Sequence, residues 1–94
     1  MKYRVNPVFA GGFKIVPGDE FADAFEIVSV NFDGNGTAVG CIAVDGNVQM
    51  AFELTAGTND VPEVGDYWTI QEHWGGWVTP KHFFERQYSP VREE

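Results

Sequence analysis

The sequence has 94 residues, of which 44 % are hydrophobic and 15 % aromatic, and its formal net charge is −8. This length predicts one domain, and the aromatic content is too high for a disordered chain. No apolar run reaches the roughly 20 residues of a membrane-spanning helix, and we expect no secretory signal. Because Cys41 is the single cysteine, an internal disulfide is excluded.

Short segments separated by Gly and Pro characterise the first part of the chain. Tyr3 indicates an opening strand that Pro7 limits to an edge or a bend, and residues 13–16 predict a second short strand. Residues 19–25 are ambiguous, because Asp19 could cap a short helix there. The periodicity does not decide between helix and strand for this segment.

Two hairpins are predicted in the middle of the chain. A turn at 33–36 joins strands over 26–32 and 37–44. The next turn is predicted at Asp45-Gly46, of the type I′ kind, so that residue 44 pairs with residue 47. In this register six residues share the core face, namely Val39, Cys41, Ala43, Val48, Met50 and Phe52.

A loop over 55–64 and a strand over 67–71 are predicted next, with Trp68 and Ile70 on one face of that strand. Residues 75–76, both Gly, predict a further turn.

The end of the chain predicts a short helix over 81–88. Thr79 is the expected N-cap and Pro80 the first helical residue, since Thr caps helices and Pro is favoured at their first position. Phe84 and Tyr88 then share one helix face. The expected end of the helix is at 89–90.

These elements together predict a single β-dominated α+β domain over residues 1–90. Its sheet is an antiparallel meander or a small barrel, and a short C-terminal helix closes one end. Residues 91–94 are expected to form a frayed tail.

The charges are unevenly distributed. The first 18 residues carry three cations, residues 19–72 carry eleven acids and no Lys or Arg, and the remaining charges cancel. A negative field of this kind repels phosphates and attracts basic protein surfaces. The alternative is an acidic surface that only keeps the protein in solution.

Candidate partner-binding residues follow from this distribution. The carboxylates expected to bind first are Asp19, Glu20, Asp23 and Glu26, followed by Asp60, Glu63 and Asp66. Trp74 and Trp77 flank the predicted Gly-Gly turn and are candidates for an interface, because exposed Trp is a favoured hot spot. The alternative is that both Trp side chains cover the core.

No metal site is predicted. Residues 31–37 imitate the start of a calcium loop, but Ile42 stands where the bidentate Glu is required, and a hairpin turn is the preferred interpretation. His82 and Glu85 lie three residues apart, whereas a zinc site usually needs three or four N or S ligands.

No catalytic residue or cofactor is predicted either. Cys41 is expected among apolar neighbours, where the pKa of a thiol rises and its reactivity falls. Glu72 beside His73 is the one arrangement that resembles an acid–base pair. The chain contains no phosphate-binding loop, dinucleotide fingerprint or nucleic-acid motif, so a non-enzymatic protein is expected.

The two ends of the chain carry recognisable motifs. The start reads MKYRVNPV (residues 1–8), and the end reads GDYWTI (65–70) followed by PKHFFERQYSPV (80–91). With these motifs the chain resembles a group of small phage and prophage proteins. The resemblance implies a phage origin and a small non-catalytic fold, and it implies no functional residues.

Three functions are therefore expected in order. The first is a phage-encoded protein that blocks a basic nucleic-acid-handling or defence protein in the cytoplasm of an infected or lysogenic bacterial host. The second is a virion structural, decoration or assembly protein. The third is a module that sequesters a nucleotide signal with cations from both chain ends, among them Lys2, Arg4 and Arg86. Direct binding to nucleic acid or membrane is not expected, and a homodimer is one open option.

Overall fold

The computed structural model describes residues 2–16, 18, 20–55, 61–71 and 75–91. Its elements in chain order are β1 (Lys2–Val5), β2 (Val8–Ala10), β3 (Phe13–Val16), β4 (Phe21–Ser29), β5 (Cys41–Asp45), β6 (Val48–Phe52), β7 (Tyr67–Gln71), β8 (Gly75–Thr79), α1 (Lys81–Gln87) and β9 (Tyr88–Pro90). All strand pairs are antiparallel, which confirms the β-dominated α+β class. The described strands do not close into a barrel, so the meander alternative holds.

Strand β4 is the centre of the larger sheet. Asp23 pairs with Lys2 of β1 and with Ile70 of β7, so these two strands lie on opposite edges of β4. Further along, Glu26 pairs with Val44 of β5 and again with β7. Strands β1 and β5 therefore follow one another along one edge, while β7 occupies the other.

The helix considered for residues 19–25 is wrong from Phe21 onward, and Asp19 lies outside the described residues. Strands β1 and β7 pair with this stretch from opposite edges, so pairing with two strands overrides the weak helical pattern.

The first half of β4 buries side chains on one face of the sheet, and the second half buries side chains on the other face. Ala22 and Ala24 are buried on one face, whereas Phe25 and Ile27 are buried on the other, in the main core. Helix α1 covers the first face, where its Phe84 packs against aromatic side chains of the sheet. The sheet covers the second face by curling over itself.

The curl of the sheet is visible in one aromatic contact. Phe52 of β6 stacks on Trp68 of β7, with ring centroids 4.1 Å apart and planes 11° apart. Strands β5 and β4 lie between β6 and β7 in the sheet. Because neighbouring strands are about 4.8 Å apart, these rings meet only if the sheet bends strongly toward its core face.

The β5–β6 register differs from the predicted one by two residues. Asp45 pairs with Val48, so the loop consists of Gly46 and Asn47. Gly46 has φ 58°, and Asn47 does not have positive φ. One Gly at the first loop position is typical of a type II′ turn, whereas the predicted type I′ turn requires positive φ at both positions.

The predicted core face of this hairpin is unaffected by the two-residue difference in register. A shift of two residues preserves the side of every residue, since side chains alternate with period two. Cys41, Ala43 and Phe52 are buried as predicted. Val48 is exposed beside the loop, and Val39 is exposed because β5 begins only at Cys41, which corrects the strand predicted over 37–44.

The predicted turn at 33–36 is confirmed. The Asp33 carboxylate Oδ1 accepts hydrogen bonds from the amides of Asn35 and Thr37, at 2.8 and 2.9 Å. A side chain that binds its own backbone in this way stabilises a turn without any metal. Beyond the β4–β5 ladder, an isolated bridge between Phe32 and Ala38 continues the pairing toward the turn.

The C-terminal third contains three corrections. Residues 75–76 begin β8 and pair with Gln71 and Ile70 of β7, so they are not a turn. Thr79 does not cap α1, because the N-cap residue is Pro80 and it makes no side-chain hydrogen bond. The helix ends at Gln87, and the chain continues into β9, which pairs with β1.

Other predictions for this region are confirmed. Strand β7 has the predicted bounds, and Trp68 and Ile70 both pack against the core. Phe84 and Tyr88 were predicted to share a helix face; Tyr88 instead begins β9, and the two rings still stack with centroids 4.9 Å apart. Of the expected tail, Val91 donates its amide to the carbonyl of Lys2, and residues 92–94 lie outside the described part.

Candidate protein-binding face

The predicted acidic residues do not all share one face. Glu20, Asp23 and Glu26 are exposed, whereas Asp19 and Asp60 lie outside the described residues. Asp23 pairs with Lys2 and with Ile70, which packs on the main core, so Asp23 belongs to the core side of the sheet. Glu26 pairs with Tyr67 and belongs to the helix side.

An aromatic cluster lies under the helix. Phe84 is 4 % exposed. Its ring stacks on Tyr67 with centroids 3.9 Å apart and on Tyr88 at 4.9 Å, and it meets the edge of Tyr3 at 4.8 Å. The three tyrosines are half-buried, so each residue remains partly exposed to solvent.

Three carboxylates surround these tyrosines. Burial raises the pKa of Tyr3 and of Tyr67, and the Glu26 carboxylate raises both pKa values further. Burial also raises the pKa of Tyr88, with a second contribution from Glu20. Glu85 adds to the rise at Tyr67.

We call this surface the acidic tyrosine face, made of Tyr3, Glu20, Glu26, Tyr67, Glu85 and Tyr88. A tyrosine hydroxyl group has a pKa of about 10 even without these shifts, so the three tyrosines are protonated at neutral pH and can donate hydrogen bonds. The sequence pattern pointed to Glu20 and Glu26 but missed Glu85 and the tyrosines. The helical spacing of Phe84 and Tyr88 was the available signal for part of the cluster.

Asp66, which was predicted to belong to a binding surface, also has a structural role. Its Oδ1 atom accepts the backbone amide of Lys81, the first residue of α1, at 3.1 Å. Its Oδ2 atom accepts the amide of Glu63, also at 3.1 Å. Asp66 therefore supplies from a distant turn the helix cap that Thr79 was predicted to supply.

The cap makes Asp66→Ala a test of this role. We expect the free energy of unfolding to fall by about 1 kcal/mol, since the Lys81 and Glu63 amides lose their acceptor. Chemical denaturation measures the loss. Glu63→Ala is the matched control, because it removes a neighbouring exposed carboxylate but keeps the Glu63 amide; an equal loss in both variants would contradict the cap.

Thr79 is instead part of a buried pair. Its hydroxyl group lies 3.0 Å from the hydroxyl group of Thr69, and both residues are buried. The two hydroxyl groups form a hydrogen bond with each other on the face of the sheet that α1 covers. The Thr79 side chain therefore does not cap the helix.

The Trp pair is only partly described. Trp77 is half-buried in β8 and pairs with Thr69, while Trp74 lies outside the described residues. Both the interface and the core interpretation of these two side chains stay predictions.

The positions of the cations bear on nucleotide capture. Lys2 alternates with Tyr3 along β1, and Tyr3 faces the helix, so Lys2 and Arg4 point to the other side of the sheet. The Lys2 ammonium group lies 5.6 Å from the centre of the Phe21 ring. Arg86 belongs to the helix. Lys2 and Arg4 therefore lie on the opposite side of the sheet from the helix that carries Arg86.

The described residues contain no group of three or more His, Cys, Asp or Glu side chains that could hold a metal ion. His82 is exposed on α1, and His73 lies outside the described residues. Cys41 is 1 % exposed, and burial raises the pKa of its thiol as predicted. Within the described ranges, no helix has the length and apolar character needed to cross a lipid bilayer.

Fold and surface together define a small β-dominated α+β domain with an acidic, tyrosine-lined face under a short helix. Comparisons with protein-family models, with curated proteins and with solved structures gave no match.

Proposed function

We propose that this protein is a phage-encoded, non-enzymatic inhibitor that binds a basic nucleic-acid-handling or defence protein of the bacterial host. The acidic tyrosine face is the surface that makes the contact. The resemblance of both chain ends to small phage proteins supports the origin, and the net charge of −8 supports a basic partner.

The observation that carries the proposal is the position of carboxylates beside half-buried tyrosines. Glu26 is the cross-strand partner of Tyr67, and Glu85 follows Phe84, whose ring stacks on Tyr67. Glu20 raises the pKa of Tyr88. A carboxylate accepts charge-assisted hydrogen bonds from Arg and Lys, and a tyrosine ring attracts the same cations through its face. This combination suits the Arg- and Lys-rich groove in which a host protein would hold nucleic-acid phosphates.

The test compares two double variants with the same change in net charge. Glu20→Lys with Glu26→Lys reverses the acidic tyrosine face, whereas Asp23→Lys with Glu63→Lys adds the same charge at exposed positions outside it. Each tagged protein is used to capture partners from a bacterial host extract, with elution in a salt gradient and identification by mass spectrometry. The captured partner is then titrated against each variant.

We expect the wild type to retain a basic nucleic-acid-handling protein that moderate salt releases, since salt screens exposed charges. Reversal of the face should weaken binding at least about tenfold, equivalent to about 1.4 kcal/mol, and the control should bind nearly as the wild type does. Equal weakening by both variants would mean that net charge alone acts, and the proposed face would be rejected.

A virion protein is the second candidate, and one observation favours it. The β2–β3 hairpin exposes large apolar side chains, among them Phe9 and Phe13, as an assembly subunit would. Capture of capsid or tail proteins that resist salt would favour this function over the inhibitor.

A further inference from the structure

The β2–β3 hairpin forms a two-stranded sheet of its own, separate from the larger sheet. We call residues 8–16 the arm. Phe9, Phe13 and Ile15 in it are 63 %, 77 % and 61 % exposed. A lone two-stranded hairpin is at best marginally stable in water, and contiguous exposed apolar residues mark interaction sites. The arm therefore has the properties of a segment that another surface covers.

The arm differs in charge from the rest of the chain. Lys14 is its one charged residue, whereas the 94-residue chain as a whole has a net charge of −8. Lys14 pairs with Phe9 across the hairpin, and its ammonium group lies 5.6 Å from the centre of that ring. One face of the arm therefore combines an aromatic ring with a cation.

A groove of matching chemistry lies on the β5–β6 hairpin. It has a volume of about 500 Å³, and its lining includes Val39, Ile42, Ala51 and Glu53. Ile42 and Ala51 are cross-strand partners, and Val39 and Ala51 are exposed. The groove thus offers an apolar floor with a carboxylate at one side.

The groove also borders a free strand edge. Strand β6 pairs with β5 and with no other described strand, so the main-chain groups on its outer edge can receive an added strand. Phe84 of helix α1 contacts Tyr3 of β1 and Tyr67 of β7, away from this hairpin.

We propose that the groove receives the arm of a second copy of this chain, and that the two copies exchange arms reciprocally. Phe9 enters the apolar groove of the other copy, and Lys14 beside it faces Glu53. The complementary charges favour this occupant, since the arm is cationic and apolar whereas the chain as a whole is acidic. Reciprocal exchange closes the assembly as a twofold dimer and doubles the area that one arm would bury.

Sedimentation equilibrium of the purified full chain tests the exchange. We expect a dimer for the wild type, and at least about 30-fold weaker dimerisation for Phe9→Ser and for Ala51→Arg, which respectively remove the anchor and fill the groove. Both positions are exposed, so the monomers should keep their fold, which circular dichroism verifies. An equimolar mixture of the two variants should recover partial association, because one intact arm then meets one intact groove.

A charge exchange tests the pairing of Lys14 with Glu53. Lys14→Glu and Glu53→Lys should each weaken the dimer, and the double variant should restore it. Lys14→Glu with Glu63→Lys is the matched control and should not restore it, because Glu63 does not line the groove. A wild type that stays monomeric at every concentration, or a dimer that ignores Phe9→Ser and Ala51→Arg, would overturn the proposal. A monomeric wild type would mean that the exposed apolar side chains of the arm are not covered by a second copy of this chain.

Discussion

Phe84→Ala is expected to lower the free energy of unfolding by about 3–5 kcal/mol, the range for deletion of a buried aromatic side chain. Phe84 is 4 % exposed and contacts the rings of Tyr3, Tyr67 and Tyr88. These tyrosines belong to β1, β7 and β9, so the substitution removes the contact that holds α1 to three strands. Each aromatic pair contributes about 0.5–1.5 kcal/mol beyond its buried area.

Chemical denaturation of Phe84→Ala and Phe83→Ala measures this effect against a matched control. Phe83 is the adjacent residue of the same helix and is 48 % exposed, so its replacement should cost less than about 1 kcal/mol. The comparison removes any effect of helix propensity, because both substitutions are identical in type. Similar losses in the two variants would show that the aromatic cluster does not hold the helix.

The Phe84 contact also bears on the proposed function. Tyr67 and Tyr88 owe their positions to the same ring, and Glu85 is the next residue of the helix. Loss of helix docking should therefore disperse the acidic tyrosine face as well as destabilise the protein. Glu20 and Glu26 are therefore better positions for testing binding, because both are exposed and their replacement leaves the aromatic cluster around Phe84 in place.

Gly76→Ala is expected to destabilise the protein by about 2–3 kcal/mol, the upper part of the range for overpacking. A Cβ atom at this position would overlap the indole ring of Trp68, at 2.7 Å from Cε2. The indole cannot move aside freely, because its ring is also stacked on the buried ring of Phe52. Gly76 thus makes room for Trp68 of β7, whose stacking on Phe52 of β6 closes the curl of the sheet.

Thermal or chemical denaturation of Gly76→Ala should be compared with Gly34→Ala. A Cβ atom at Gly34 meets no atom within 4 Å, and that residue lies in the exposed turn between β4 and β5. The control substitution should change stability by about 0.5 kcal/mol at most. A tolerated Gly76→Ala would mean that Trp68 can leave Phe52 without cost, and the proposed support for the curl would be wrong.

The candidate site could be foreseen only in part. Glu20 and Glu26 were identified from charge distribution, but the same reasoning grouped them with Asp23, which lies on the other side of the sheet beside Lys2. Asp66 was predicted to belong to a binding surface, and its role as the cap of α1 was not foreseen. Glu85 and Tyr3 come from opposite ends of the chain, and both act on Tyr67 because β1 pairs with β4 while α1 packs on the sheet through Phe84.

The sequence by itself determined the fold class, the turn at Asp33, the burial of Cys41 and the position of the helix. Each of these depends on local patterns, such as an alternating apolar face or a side chain that binds its own backbone. Tertiary structure decided the strand state of β4, the register of β5 with β6, the cap of α1 and the acidic tyrosine face. These features depend on which distant segments become neighbours, and local periodicity shows which face of a strand is buried but not what covers it.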